Sequence, residues 1–122
     1  MKTVLLVDDS RAVRLAMRRI LAGLGCELLE AENGSLALEQ LRQHPEIDAI
    51  LLDWNMPIMD GITFLRAVRQ DAKLPQPQIV MCTTEGEMHR IMDALQSGAN
   101  EYIMKPFTQD IVLEKLQGVG IL

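Results

Sequence analysis

The sequence predicts an α/β protein built on a doubly wound parallel sheet, a single (βα)5 domain covering residues 1–122. Short apolar runs such as Thr3–Val7 and Ala49–Leu52 show no polar alternation, as strands buried on both faces do. Between them lie stretches whose apolar residues recur at spacings of three and four, the helical period. The two patterns alternate through the whole chain. Short connections and right-handed crossovers then leave few arrangements other than a parallel sheet covered on both faces.

The first strand, Thr3 to Val7, ends in Asp8-Asp9, and Ser10 can cap a helix carrying Val13, Ala16, Met17, Ile20 and Leu21 until Gly23 and Gly25 stop it. Cys26 to Ala31 is a second strand. Asn33 or Gly34 opens a helix with Leu36, Leu38 and Leu41 inside, and Pro45 closes the connection. The third strand, Ala49 to Leu52, places Asp53 at its carboxyl end, where Asn55 and Pro57 stop further pairing. A loop through Gly61 leads to a helix carrying Ile62, Leu65 and Val68. Pro75 and Pro77 bracket the next boundary. Gln78 to Cys82 is a fourth strand ending in Thr83-Thr84, and Glu87 to Ser97 a helix closed by Gly98. Glu101 to Met104 is the fifth strand, and Thr108 caps a last helix through Leu116.

Open α/β sheets keep their active sites at the carboxyl ends of the strands. In a parallel sheet that one edge receives Asp8 and Asp9, Asp53, Thr83 and Thr84, and Lys105. A carboxylate at the position of Asp53 can be a metal ligand, a general base, a nucleophile or a solvated strand end. Three acids brought together raise one another's pKa unless a cation joins them. Oxygen donors with no His or Cys beside them suit a hard ion such as Mg²⁺.

Composition excludes other classes. With a net charge of -5 the chain lacks the clustered Lys and Arg that grip nucleic acid. Arg11, Arg14, Arg18 and Arg19 fall at helical spacing and read as a solvated face. Cys26 and Cys82 lie in apolar surroundings with no CxxC spacing, as reduced, packed thiols do in a cytosolic protein. No apolar run approaches the ~18 residues of a membrane span and no signal peptide opens the chain, so a cytoplasmic protein that avoids membranes is expected.

Val7-Asp8-Asp9-Ser10, Asp53-Trp54-Asn55-Met56-Pro57 with Met59-Asp60-Gly61, the Thr ending strand four, and Lys105-Pro106-Phe107 occur in this order on these elements. Together they resemble the receiver domains of two-component response regulators along the whole chain, most of all the single-domain chemotaxis members. The resemblance implies a sheet in the order 2-1-3-4-5, a receiver without an output domain, and a monomer. It implies that Asp53 is the phosphoacceptor, phosphorylated by a histidine kinase, with Lys105 and Thr83 contacting the phosphoryl group. Mg²⁺ would be held by Asp8, Asp9, Asp53 and the Asn55 backbone carbonyl. A cis Lys105-Pro106 bond is typical of the family.

The same resemblance makes Thr83 and Tyr102 the switch and Asn55 and Glu85 the residues that tune phosphoryl lifetime. The output surface would run around Met88 to Leu95, Tyr102 and Ile111 to Lys115. A downstream target protein, with the flagellar motor switch as the candidate, and a phosphatase complete the implied partners. Relay intermediate, phosphate sink and unphosphorylated scaffold are the alternative roles. A phosphohydrolase or flavin module is disfavoured, because the loop after strand one carries neither a second catalytic acid two residues on nor a phosphate-binding glycine loop. Thr84 stands where the family usually has Ala or Gly, which predicts slower reaction with small phosphodonors. His89 reads as a surface residue.

Overall fold

In the computed structural model, five parallel strands form one sheet in the order β2-β1-β3-β4-β5. The structure describes residues 1–84 and 87–122; Glu85 and Gly86 lie outside the described residues. The elements are β1 (Thr3–Val7), α1 (Arg11–Gly23), β2 (Glu27–Ala31), α2 (Gly34–Gln43), β3 (Ala49–Asp53), α3 (Gly61–Gln70), β4 (Gln78–Thr83), α4 (Ile91–Gln96), β5 (Glu101–Met104) and α5 (Gln109–Gly118). The predicted fold class and strand order are those observed. No helix among the described residues is long and apolar enough to cross a membrane.

The two-residue period of a strand sends alternate side chains to opposite layers. Leu5, Val7, Ile50, Leu52, Ile79 and Met81 join Ala37, Leu41, Phe64, Leu65 and Val68 from α2 and α3 in one core. Val4, Leu6, Ala49, Leu51, Val80 and Cys82 join Met17 and Leu21 of α1 and Val112 and Leu116 of α5 in the other. The continuous apolar runs are therefore explained by a sheet that has no solvent face over its central strands. The β1–β3 register pairs Val7 with Leu52 and the β3–β4 register pairs Asp53 with Cys82, so the strand ends come level at one edge.

Side-chain caps set the helix starts at that edge. Ser10 accepts from Val13 N–H at 3.2 Å, Asn33 from Leu36 N–H at 2.9 Å, Asp60 from Thr63 N–H at 3.0 Å and Thr108 from Ile111 N–H at 3.3 Å. Each cap satisfies a donor that the first helical turn leaves free.

Several expectations are corrected. Leu36 lies 42 % exposed. The inward positions of α2 are Gly34, Ala37, Leu38 and Leu41, a three-four pattern from which Leu36 is turned away. Ala16 is exposed for the same reason, while Met17 and Leu21 form the buried stripe of α1. Arg14 is no solvated residue. Its side chain is 12 % exposed, pairs with Glu30 at 3.2 Å and donates to the Asp8 carbonyl at 2.6 Å. Arg18 also pairs with Glu30, whereas Arg11 and Arg19 are exposed. Cys26 precedes β2, its N–H closing α1 on Leu21 at 3.0 Å. The continuous helix expected over Glu87–Ser97 is a tight 3₁₀ turn ending at Arg90, followed by the short α4. Glu87 N–H bonds the Thr84 carbonyl at 3.0 Å, the i to i+3 pattern of that tighter turn.

Ile58, at the tip of the loop between β3 and α3, is 85 % exposed and holds φ at 68°. A β-branched residue in the left-handed region suffers a clash with its own carbonyl, worth about 1–2 kcal/mol, with no burial to offset it. Ile58→Asn, which adopts this conformation more readily, should raise stability by about 1 kcal/mol in urea melts; an unchanged midpoint would show that the loop relaxes around Ile58 instead.

Candidate functional site

The sheet edge brings the predicted residues together. Carboxylate oxygens of Asp8, Asp9 and Asp53 all lie within 4.8 Å of one another, Asp8 and Asp53 buried and Asp9 exposed. Lys105 Nζ stands 3.0 Å from Asp8 Oδ2 and 3.0 Å from Asp53 Oδ1. Asp8 Oδ1 accepts from Ser10 N–H at 2.8 Å, which turns its other oxygen toward the cluster. Lys105 is brought there by the β4–β5 register, its own N–H bonding the Thr83 carbonyl at 2.6 Å, and the Lys105–Pro106 peptide is cis.

The position of Asp53 is enforced from below by Gly61. A Cβ at Gly61 would lie 2.1 Å from the Asp53 carbonyl oxygen, and Gly61 N–H bonds the Trp54 carbonyl at 2.8 Å. Only a residue without a side chain lets α3 begin so close to the end of β3. The loop between them is held a second time, where Gly34 N–H bonds the Met59 carbonyl at 3.0 Å.

Electrostatics follow from burial and charge. Burial pushes the Asp53 pKa up, the neighbouring Asp8 charge pushes it further, and Lys105 pulls it back, leaving it at about 6. For Lys105, burial alone would favour the neutral amine; the combined attraction of Asp53 and Asp8 outweighs it and raises the pKa. The ammonium is therefore firmly charged. Burial also raises the Cys82 thiol, to about 12, so this free cysteine beside Asp53 in the ladder stays protonated and inert.

Thr83 is fully buried, and its hydroxyl has no hydrogen-bond partner among the described residues. An unpartnered buried hydroxyl costs about 1–3 kcal/mol, so it stands ready for an acceptor. Tyr102 is half-buried against the core on the α3 side, with Lys115 Nζ 4.9 Å from its ring centroid. Lys115 also pairs with Glu101 at 3.3 Å. Among the expected output residues, Met92 is 63 % exposed and Leu95 and Ile111 are partly so. His89 is exposed, as expected. Glu85, one of the two expected lifetime-tuning residues, lies outside the described residues.

The other such residue, Asn55, is exposed and lines an open hollow of about 470 Å³ together with Asp9, Met56, Pro57 and Asp60. Its amide is engaged at both ends, donating to Glu87 Oε2 at 2.8 Å and accepting from Arg90 at 3.1 Å. The expectations from sequence gave Glu87 no role beyond opening a helix, placed Arg90 only within the output surface and read Arg14 as a solvated residue. The Thr84-x-x-Glu87 spacing is a capping-box signature and could have been read as one. Nothing local marks Arg14 or Arg90, whose partners are distant in sequence.

The comparisons with known proteins agree with this geometry. The model of the response regulator receiver domain family matches residues 4–117. This chain belongs to that family. It is 41 % identical over 117 residues to chemotaxis protein CheY1 of Helicobacter pylori, covering 95 % of this chain and 94 % of that one. It is 42 % identical over 115 residues to chemotaxis protein CheY of Bacillus subtilis, covering 93 % and 92 %. Among solved structures, chemotaxis protein CheY4 of Vibrio cholerae superposes with a TM-score of 0.88 at 34 % identity, covering 98 % of each chain. The receiver is thus a signalling regulator, and its acidic cluster offers only oxygen donors from the three aspartates. Such a donor set fits Mg²⁺.

An acid whose folded pKa lies above its unfolded value destabilises the fold once the unfolded chain has lost its proton. In metal-free solution the Asp53 contribution should thus fall away as pH rises from about 4 to about 6, and then level off. Asp53→Asn removes that penalty while Asp8 still neutralises Lys105. In chelator, urea melts should show the variant roughly 1–3 kcal/mol more stable than the parent at pH 7.5 and equal to it near pH 4. A pH-independent difference would contradict the raised Asp53 pKa.

Proposed function

We propose that this receiver accepts a phosphoryl group on Asp53 from a phosphohistidine of a partner histidine kinase, and signals by phosphorylation-dependent binding of a target protein in chemotaxis or flagellar control. The observation that carries the reading is the buried Asp8–Lys105–Asp53 contact, both arms 3.0 Å long, with Asp9 completing the acidic cluster. The chemotaxis assignment rests on the names of the relatives just given.

In this reading an Asp53 carboxylate oxygen attacks phosphorus, the phosphorus–nitrogen bond breaks, and the electron pair leaves with the imidazole. With its pKa at about 6, Asp53 is ionised and nucleophilic in neutral solution. Asp8, Asp9, Asp53 and the Asn55 carbonyl would hold Mg²⁺, which neutralises charge between the carboxylate and the incoming phosphoryl group. The Lys105 ammonium, held between two carboxylates beforehand, can follow the negative charge to a phosphoryl oxygen. The free Thr83 hydroxyl can donate to another.

Phosphorylation adds about -1.5 to -2 charges and three acceptor oxygens, enough to draw the corner after β4 inward. Tyr102 next door would then rotate inward, exchanging its Lys115 contact for a place against the core and altering the α4–β5–α5 surface. Asn55, with Glu85, would tune how long the phosphoryl group lasts.

Trp54 adjoins Asp53 and is the only Trp, so its emission reports on the site. It should respond to Mg²⁺ and then to beryllofluoride. Phosphoramidate with Mg²⁺ should add one phosphoryl group by mass, and Asp53→Asn or chelation should abolish the addition. Silence in the fluorescence titrations together with an unmodified parent would rule the reading out in favour of a scaffold. Thr84→Ala should speed reaction with acetyl phosphate, by about threefold or more if the side chain obstructs donor entry; an unchanged rate would remove Thr84 from the entry path.

A further inference from the structure

The loop after β3 and the corner after β4 are tied together by a single side-chain amide. Asn55 Nδ2 donates to Glu87 Oε2 at 2.8 Å while Asn55 Oδ1 accepts from Arg90 at 3.1 Å. With an acceptor at one end and a donor at the other, only one orientation of the amide satisfies both. Glu87 is 8 % exposed, and its second carboxylate oxygen takes the Thr84 N–H at 3.0 Å and the Thr84 hydroxyl at 2.9 Å. Arg90 continues the chain of contacts, its guanidinium 5.3 Å from the Trp54 ring centroid.

These contacts link the two residues that follow Asp53 to the residue that follows Thr83. A carboxylate this buried is costly unless its lone pairs are used. Among the described residues no cation lies within salt-bridge distance of Glu87, so three hydrogen bonds from Thr84 and Asn55 hold it. The cap alone needs only Oε1; Oε2 is committed to Asn55. Asn55 in turn lines the open hollow onto which Asp9 faces, so the pinned amide stands at the approach to the acidic cluster.

We infer that Glu87 and Arg90 are positioning residues for the chemistry at Asp53, strapping Asn55 across the mouth of the site and slowing the passage of both phosphodonor and attacking water. The inference rests on Asp53 being the phosphoacceptor. It makes the strap, rather than Asn55 alone, the element that sets both rates. Loosening it should speed acquisition and loss of the phosphoryl group together, because both reagents enter past the same amide.

The test is a double-variant cycle on two rates: reaction with phosphoramidate in Mg²⁺, followed by Trp54 emission, and loss of the phosphoryl group after donor removal. Binding of beryllofluoride, read by the same emission, supplies a measurement free of turnover. Arg90→Ala leaves the Thr84–Glu87 cap intact and should melt like the parent; Glu87→Gln keeps one acceptor where Glu87→Ala keeps none. Arg90→Ala and Glu87→Ala should each raise both rates by about threefold to tenfold, with Glu87→Gln intermediate. In an Asn55→Ala background the same substitutions should change neither rate. Equal factors in both backgrounds, or unchanged rates in the single variants, would overturn the strap while leaving the phosphoacceptor in place. A parent chain that takes up no phosphoryl group would overturn both.

Discussion

The structure depends on placing three carboxylates at one edge of a sheet whose central strands have no solvent on either face. Asp8 and Asp53 are buried within reach of each other, and their repulsion is tolerable only because one ammonium touches both. The arrangement is therefore incomplete by construction. One ammonium touches two of the three acids, the Asp53 pKa is raised to about 6, and the buried Thr83 hydroxyl beside them has no partner among the described residues. Each of these is a local cost that a bound cation or an acceptor oxygen would relieve.

Holding that edge together uses most of the fold. The β1–β3 and β3–β4 registers set the relative heights of Asp8 and Asp53, and Gly61 lets α3 start against the Asp53 carbonyl. The two apolar cores lock the register, since a slip of one residue would exchange every side chain between layers. Arg14 adds a brace from α1, bonded at once to the Asp8 carbonyl and to Glu30 on β2. Charged residues thus act here in two different ways. Lys105 neutralises the acidic cluster, while Arg14 braces the backbone beneath it.

The turn after β4 has the opposite character. It is tightened into 3₁₀ geometry, held by the Thr84–Glu87 cap and the Asn55 amide, and continues into a helix of only Ile91–Gln96. Few of its residues reach the cores, so it is held less firmly than the strands around it. Met92 and Leu95 of that helix are exposed.

The fold class, the strand order expected from the motifs and the convergence of Asp8, Asp9, Asp53, Thr83 and Lys105 were all legible in the sequence. The fold class and the convergence rest on short-range signals, namely continuous apolar runs, caps and turn residues, and strand ends that a parallel sheet must bring to one edge, whereas the strand order came only with the family resemblance. The sequence also carried the helical period, but not which face of each helix meets the sheet: Ala16 stands three and four residues from Val13 and Ile20 and is nonetheless exposed, and Leu36 falls outside the three-four pattern of Gly34, Ala37, Leu38 and Leu41. The contacts of Arg14 with Glu30, of Glu87 with Asn55 and of Arg90 with Asn55 belong to the tertiary structure alone. Their roles come from partners 16, 32 and 35 residues away, and no local pattern encodes which distant polar group a side chain will meet once the cores have closed.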